Sequence, residues 1–438
     1  MVDGIEKIAE LLWGPPLIAM LVALGLFLSF RTHFFQIRKL PYILKNTFGE
    51  AFSGKFGASE GFKAMCMALG GTIGVGNIAG VAAAIKFGGP GSVFWIWVSG
   101  FIGMIIKYYE VALSIKFRRR GADGEYFGGP MYYMHDSGIK ILKIFAYIFA
   151  ACCVISSLFM GNIAQSNTVS NAMNYSFGFS KEIVCFVLCV LLFPLLLGKA
   201  QRLKDFSNIF VPVMSIIYLS ICLVVILLNF KNLSNSFALI FKNAFNFRSA
   251  AAGAGAYSFS IAISVGFSKG LFTNEAGLGS APMAHATNPN ATEEKQGMWG
   301  IAEVFIDTIV VCSFTAFAVL GSDVYLGGTS LSGIDLTSAV FTSAVGKAMG
   351  EGMLSISVAL FAFASIVAWY FYGKTALNFL IKSKFASAIY FAIFIIFVFL
   401  GAFYEDKFIF ALSDIFNAPL IFINLFALSL LYPLISKR

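Results

Sequence analysis

Long apolar runs alternate with short polar connections along the whole chain. Eleven runs approach or exceed the length needed to cross a bilayer, at about 11–30, 62–86, 91–115, 141–165, 182–198, 208–230, 253–272, 297–321, 353–372, 385–403 and 408–433. The fifth is short and carries Pro194. A basic, amphipathic connection over 31–60 follows the first run and is expected to lie along the inner membrane face. The pattern predicts an all-α polytopic membrane protein. Setting aside residues 1–60, with the first helix and its connection, leaves ten spans that divide into two fives, 61–230 and 231–438. A repeat with an odd number of spans enters the membrane from opposite sides in its two copies, so the halves are expected to be inverted.

One stretch departs from the helical pattern. Residues 68–80, Ala-Leu-Gly-Gly-Thr-Ile-Gly-Val-Gly-Asn-Ile-Ala-Gly, place five glycines inside the second run. Glycine costs about 1 kcal/mol of helix propensity relative to alanine. A helix is therefore expected to open there, and opened backbone survives in a membrane only where it lines a cavity or binds something. Freed carbonyls suit a desolvated cation, and freed amides at the next half-helix suit a carboxylate. Thr72 and Asn77 strengthen this reading, because polar side chains in a membrane core are costly unless used. The competing reading is close helix packing through Gly70/Gly74 and Gly76/Gly80. The corresponding first member of the second half, Ala256–Phe267 running into Ser268-Lys269-Gly270, is expected to be interrupted as well.

Composition adds the class. The chain has 438 residues, of which 58% are hydrophobic and 12% charged, with mean hydropathy +0.83. That excludes a soluble globule. The net charge of +9 fits basic loops on one membrane face better than nucleic-acid binding. All the Lys and Arg residues except Lys7, Lys86, Lys181, Lys231, Lys242, Arg248, Lys347 and Lys407 fall on the side reached after odd-numbered spans. The bias predicts an N-terminus outside and a C-terminus in the cytoplasm of a cell-membrane protein. No cleavable signal peptide is evident, since Asp3, Glu6 and Glu10 replace a basic start. The seven cysteines sit in apolar segments without CxxC spacing, and three scattered histidines do not make a metal site.

Several further motifs carry a resemblance. Gly88–Trp97 (GGPGSVFWIW) opens the third span, Gly270–Pro282 (GLFTNEAGLGSAP) follows the seventh, and Phe361–Gly373 closes the ninth. With the 70–77 run and Gly161–Asn167, they resemble the alanine/glycine:cation symporter family, in ordered motifs from about residue 60 to 380. The resemblance implies sodium-driven import of a small neutral amino acid. It also implies a leucine-transporter-type (LeuT-type) 5+5 inverted-repeat core plus one extra N-terminal helix, eleven transmembrane helices in all. Carried over residue by residue, the carbonyls of Gly70 and Ile73 and the hydroxyl of Ser365 would bind sodium. The amides of Val75 and Gly76 would receive the substrate carboxylate, with Thr72 and Asn77 at the border. Relatives often have two adjacent hydroxyl residues where this chain has Ala364-Ser365. Gln165 would touch the substrate, while Asn162 is expected to make an interhelical bond.

Trp369 lies one turn beyond Ser365 and is expected to wall the pocket, with Phe259 and Ile263 facing it. No titratable group lies in the 70–77 run or near Ser365, which favours sodium over protons as the coupling ion; no other cofactor is expected. Glu303 and Asp307, one turn apart, could suggest acid–base chemistry. No nucleophile, metal set or phosphate loop accompanies them, so gate or scaffold ion pairs with Lys107, Lys269 or Lys374 are expected instead of an enzyme. Glu110 and Glu275 read the same way. The alternatives are a symporter for serine or glutamine, an intramembrane enzyme using Glu303 and Asp307, and a channel.

Overall fold

The computed structural model describes residues 12, 15–52, 59–121, 124–245, 254–404 and 406–435. Nearly all of these are helical. The first helix, α1 (Pro15–Arg31), is followed by α2 (Phe35–Arg38) and α3 (Leu40–Phe52). In α3 the residues Ile43, Thr47 and Ala51 recur every turn and are buried, so the Leu40–Phe52 part of the 31–60 connection folds as a surface helix with one inward stripe. Next come α4 (Glu60–Thr72) and α5 (Gly76–Gly88), which meet at a bend of 60°.

The chain continues through α6 (Ser92–Lys116), a two-residue antiparallel ladder of β1 (Arg119–Arg120) with β2 (Tyr126–Phe127), and α7 (Pro130–Asp136). The ladder is a small departure from the all-α expectation. Then follow α8 (Lys140–Phe177), α9 (Lys181–Leu196), α10 (Ala200–Leu228) and α11 (Leu233–Ala244). The second half holds α12 (Ala254–Asn274), α13 (Ala281–His285), α14 (Glu293–Leu320), α15 (Asp323–Leu326) and α16 (Gly333–Val345). It ends with α17 (Lys347–Leu380), α18 (Lys384–Leu400) and α19 (Asp406–Leu431). Local sequence sets several starts. Ser59 accepts from the Phe62 amide at α4, Thr292 from Lys295 at α14, and Ser383 from Ala386 at α18.

Among the described residues each predicted apolar run coincides with a helix or, at 62–86, with the bent pair α4–α5, but length and composition establish fewer spans than eleven. Among the described residues six helices are long and apolar enough to cross a membrane, and the bent pair α4–α5 makes a seventh. Helices α1, α9 and α18 are shorter, with 17, 16 and 17 residues.

Three successive helices before residue 230 have lengths close to those of the last three helices of the chain. Helices α8 and α17, third in each half, have 38 and 34 residues; α9 and α18 have 16 and 17; α10 and α19 have 29 and 26. Two packed groups result. Helices α12 and α14 lie against α6, while α8 lies against α17 with α9 and α18 outside them. The α4–α5 pair sits between the groups, touching α10, α12 and α17.

The seventh run breaks at a different place from the one the sequence pattern predicts. Helix α12 runs unbroken through 256–267 and on to Asn274. The chain opens at 275–280, where Glu275, Gly277 and Gly279 have φ of 50°, 93° and 81°. Two glycines at left-handed positions end a helix more decisively than single glycines within one.

Candidate substrate and ion site

Residues 73–75 separate α4 from α5. Ile73 takes an extended ψ of 107°, and α5 then begins with a π-helical turn, Gly76–Gly80. The amides of Val75 and Gly76 stand at the N-terminus of the second half-helix, where the first N–H groups have no intrahelical acceptor. The expected break is therefore present at the expected residues. The packing alternative does not hold for the second glycine pair, since Gly80 has open space beside it and lines a cavity.

That cavity, open at one end, is walled by Thr72, Val75, Gly76, Gln165, Ser365 and Trp369. All six were candidates. Ser365 and Trp369 face it from successive turns of α17. A Cβ built on Gly74 would lie 3.6 Å from Ser365 Oγ, and one on Gly70 would lie 3.5 Å from the Ala364 carbonyl oxygen. The serine hydroxyl and one α17 carbonyl thus stand against the broken helix. Trp369 is 1% exposed and packs edge-on to Tyr372. It fits because residue 161 is glycine: any Cβ there would overlap the Trp369 side chain.

Other candidates lie elsewhere. Gly70 and Ile73 are buried behind the cavity wall, not on it. Asn77 is not at the border of the cavity either. It is fully buried, with Nδ2 donating to Asp307 Oδ1 at 2.9 Å and Oδ1 accepting from the Gly74 amide at 2.9 Å. The 70–77 run therefore does touch a titratable group, which the sequence pattern hid because Asp307 is 230 residues away. Ile263 packs into the hydrophobic core and not onto the cavity. The side chain of Phe259 lies outside the described residues. Asn162 makes the expected interhelical bond, Nδ2 to the Phe394 carbonyl at 2.7 Å.

The structure adds wall residues that the sequence reading missed. Ser413, Asp414 and Asn417 of α19 line the cavity, as do Lys269, Phe272 and Thr273 of α12. Their signal was available: three polar residues within one turn of an apolar span are a functional mark by default. Gln165 Nε2 donates to the Met160 carbonyl at 3.1 Å, and Asn417 Nδ2 reaches Met160 Sδ at 2.6 Å. Among the described residues the side-chain oxygens of both are buried without a donor. The wall thus offers acceptors on one side and, at Val75 and Gly76, donors on the other, which is the complement of a zwitterion.

A second cavity shares Val75, Ala79 and Thr168 with the first and continues past Tyr175, Asp335 and Tyr404. The site is therefore open toward that end of the molecule. Beyond its floor, at Glu275, lies a buried charge network. Lys107 Nζ is 3.5 Å from Glu303 Oε1 and 3.4 Å from the Glu275 carbonyl. Gln296 Nε2 donates to His285 Nδ1 at 2.7 Å, leaving Nε2 to donate to Glu303 Oε2 at 2.8 Å. Glu110 Oε1 accepts from the Gly277 amide at 3.1 Å and from Asn424 Nδ2 at 2.5 Å. Glu303 thus makes the expected pair with Lys107, and the opened 275–280 segment is tied to α6, α14 and α19. Among the described residues no group of three His, Cys, Asp or Glu could hold a metal ion.

A model of the family described as sodium:alanine symporter family matches residues 1–438. A sodium/alanine symporter, AgcS, of Methanococcus maripaludis is 36% identical, covering 98% of this chain and 94% of its own. A probable sodium/glutamine symporter, GlnT, of Bacillus subtilis is 34% identical over 96% of this chain and 86% of its own. A solved Na+-coupled sialic acid symporter, in a substrate-bound outward-open state, superposes with TM-score 0.56 at 9% identity, covering 98% of each chain. That likeness is one of fold.

Proposed function

Because this chain belongs to the sodium:alanine symporter family, a family of transporters and not of enzymes, we propose that it imports a small neutral amino acid, alanine or glycine, together with sodium by alternating access. The observation that carries the reading is the helix break at 73–75 opening onto a cavity between two helix groups. A zwitterion would place its carboxylate on the Val75 and Gly76 amides and its ammonium toward the Gln165 oxygen. Trp369 would limit its side chain. Sodium would take the carbonyls of Gly70 and Ile73 and the Ser365 hydroxyl, all oxygen ligands without a titratable group among them. The Ala364 carbonyl is a further ligand in reach of the same gap.

The similar lengths of α8 and α17, of α9 and α18, and of α10 and α19 support a LeuT-type inverted repeat, 61–230 and 231–438, with α1 added and all eleven helices crossing. The orientation with N-terminus outside the cell membrane makes the open cavity outward-facing. Rocking of one helix group against the other would then expose the site inward, with the Lys107–Glu303 network parting as the floor opens.

A second reading within the class is import of serine or glutamine. The acceptors and donors on the α19 wall, Ser413, Asp414 and Asn417, favour it, and a methylene is discriminated by only about 1–3 kcal/mol. Counterflow of labelled alanine in proteoliposomes, with sodium or with choline, tests the main reading. Equal exchange in both salts would overturn it, and exchange of labelled glutamine in preference to alanine would establish the second.

A further inference from the structure

Asn77 and Asp307 meet beside the break in the α4–α5 pair, and neither lines the cavity. We propose that Asp307, acting through Asn77, is the positioning group that keeps the Gly70 and Ile73 carbonyls free for the coupling ion. The inference rests on the sodium reading above.

In an unbroken helix each N–H donates to the carbonyl four residues back. The Gly74 amide would go to the Gly70 carbonyl; it goes instead to Asn77 Oδ1 at 2.9 Å. The Asn77 amide would go to the Ile73 carbonyl; it goes instead to the Gly74 carbonyl at 3.1 Å. A single asparagine thus draws off both donors, one with its side-chain oxygen and one with its backbone amide. The two carbonyls left behind are the two that sodium needs. Buried carbonyls deprived of a donor are expensive, so a dehydrated cation is a favourable replacement.

Asp307 decides which way the asparagine points. Asn77 Nδ2 donates to Asp307 Oδ1 at 2.9 Å and to the Asp307 carbonyl at 3.1 Å. A flipped amide would set its oxygen against the carboxylate and its NH₂ against the Gly74 amide. The carboxylate therefore fixes Oδ1 toward Gly74. Asp307 is itself held, since Thr308 Oγ1 donates to Oδ2 at 2.8 Å. It is fully buried within the π-helical turn Phe305–Val311 of α14, and it does not line the cavity. Each carboxylate oxygen accepts a side-chain hydrogen bond and Asp307 does not line the cavity, which suits an aiming device better than an ion ligand.

The test exchanges donor and acceptor. In purified full-length protein, thermal unfolding is followed while sodium chloride replaces choline chloride, with no amino acid present. Asn77→Asp sets two carboxylates against each other, and half-saturating sodium is expected to rise on the order of tenfold or more. The double variant Asn77→Asp/Asp307→Asn restores one donor and one acceptor. It is expected to return half-saturating sodium to within about threefold of the wild type. If Asn77→Asp does not purify, recovery of a folded, sodium-responsive protein by the second substitution reads the same coupling.

A double variant no better than Asn77→Asp, or one that also fails to fold, overturns the inference. So does a folded Asp307→Ala variant whose half-saturating sodium equals that of the wild type, since Asn77 would then need no aiming. A wild type indifferent to sodium would refute the sodium reading itself, and the inference with it.

Discussion

Single residues divide between those that touch cargo and those that shape the ones that do. Ser365 supplies the one side-chain oxygen of the proposed ion site. Ser365→Ala is expected to raise half-saturating sodium on the order of tenfold in uptake assays, with alanine KM at saturating sodium little changed. A proportional fall in both affinities would argue against a dedicated ion ligand. Trp369 seals the far wall against Gly161. Trp369→Ala is expected to shift the alanine-to-glutamine uptake ratio toward glutamine by about tenfold or more, as the pocket gains several methylenes of room. An unchanged ratio would remove Trp369 from specificity.

At the scale of elements, irregular segments concentrate around the site. The three π-helical turns described, Gly76–Gly80, Phe159–Ile163 and Phe305–Val311, lie in α5, α8 and α14. The first borders the cavity, the second holds Met160 and precedes Gln165, and the third holds Asp307. Such turns are frequent at functional sites because each re-aims the side chains beyond it. The opened 275–280 segment is instead fixed by charge. Lys107→Met would leave Glu303 with His285 alone in a fully buried setting. Removing one partner of a buried pair costs about 3–5 kcal/mol. Thermal unfolding in detergent is expected to show a large fall for Lys107→Met and a smaller one for the paired Lys107→Met/Glu303→Leu.

The whole molecule makes one further demand. If the basic loops face the cytoplasm, the open cavity faces outside. In a variant whose native cysteines are replaced by serine, Tyr404→Cys is expected to react with a membrane-impermeant maleimide in intact cells. Lys295→Cys is expected to react only after permeabilisation. The reverse pattern would invert the proposed topology and make the observed opening inward-facing. The sequence pattern located helices well at this scale, because crossing a bilayer requires long apolar runs whatever they pack against. Among the described residues, length and composition alone establish up to seven of those spans, with the bent α4–α5 pair taken as one. The sequence pattern misplaced the second break: glycines scattered through 256–270 stayed helical, while the left-handed turns at 275–279 opened the chain.

Residue order alone determined the class, the helices and the place where the α4–α5 pair breaks, because apolar length and a local run of glycines act through nearest neighbours. Residue order also pointed to Thr72, Val75, Gly76, Gln165, Ser365 and Trp369, which the fold brings to one cavity. Only the tertiary structure decided what Asn77 does. Its side chain turns from the cavity to Asp307, a partner 230 residues away. The same holds for the α19 wall and the Lys107–Glu303–His285 network. Each depends on which helices meet, and hydrogen bonds between distant segments leave no periodic trace in the chain that makes them.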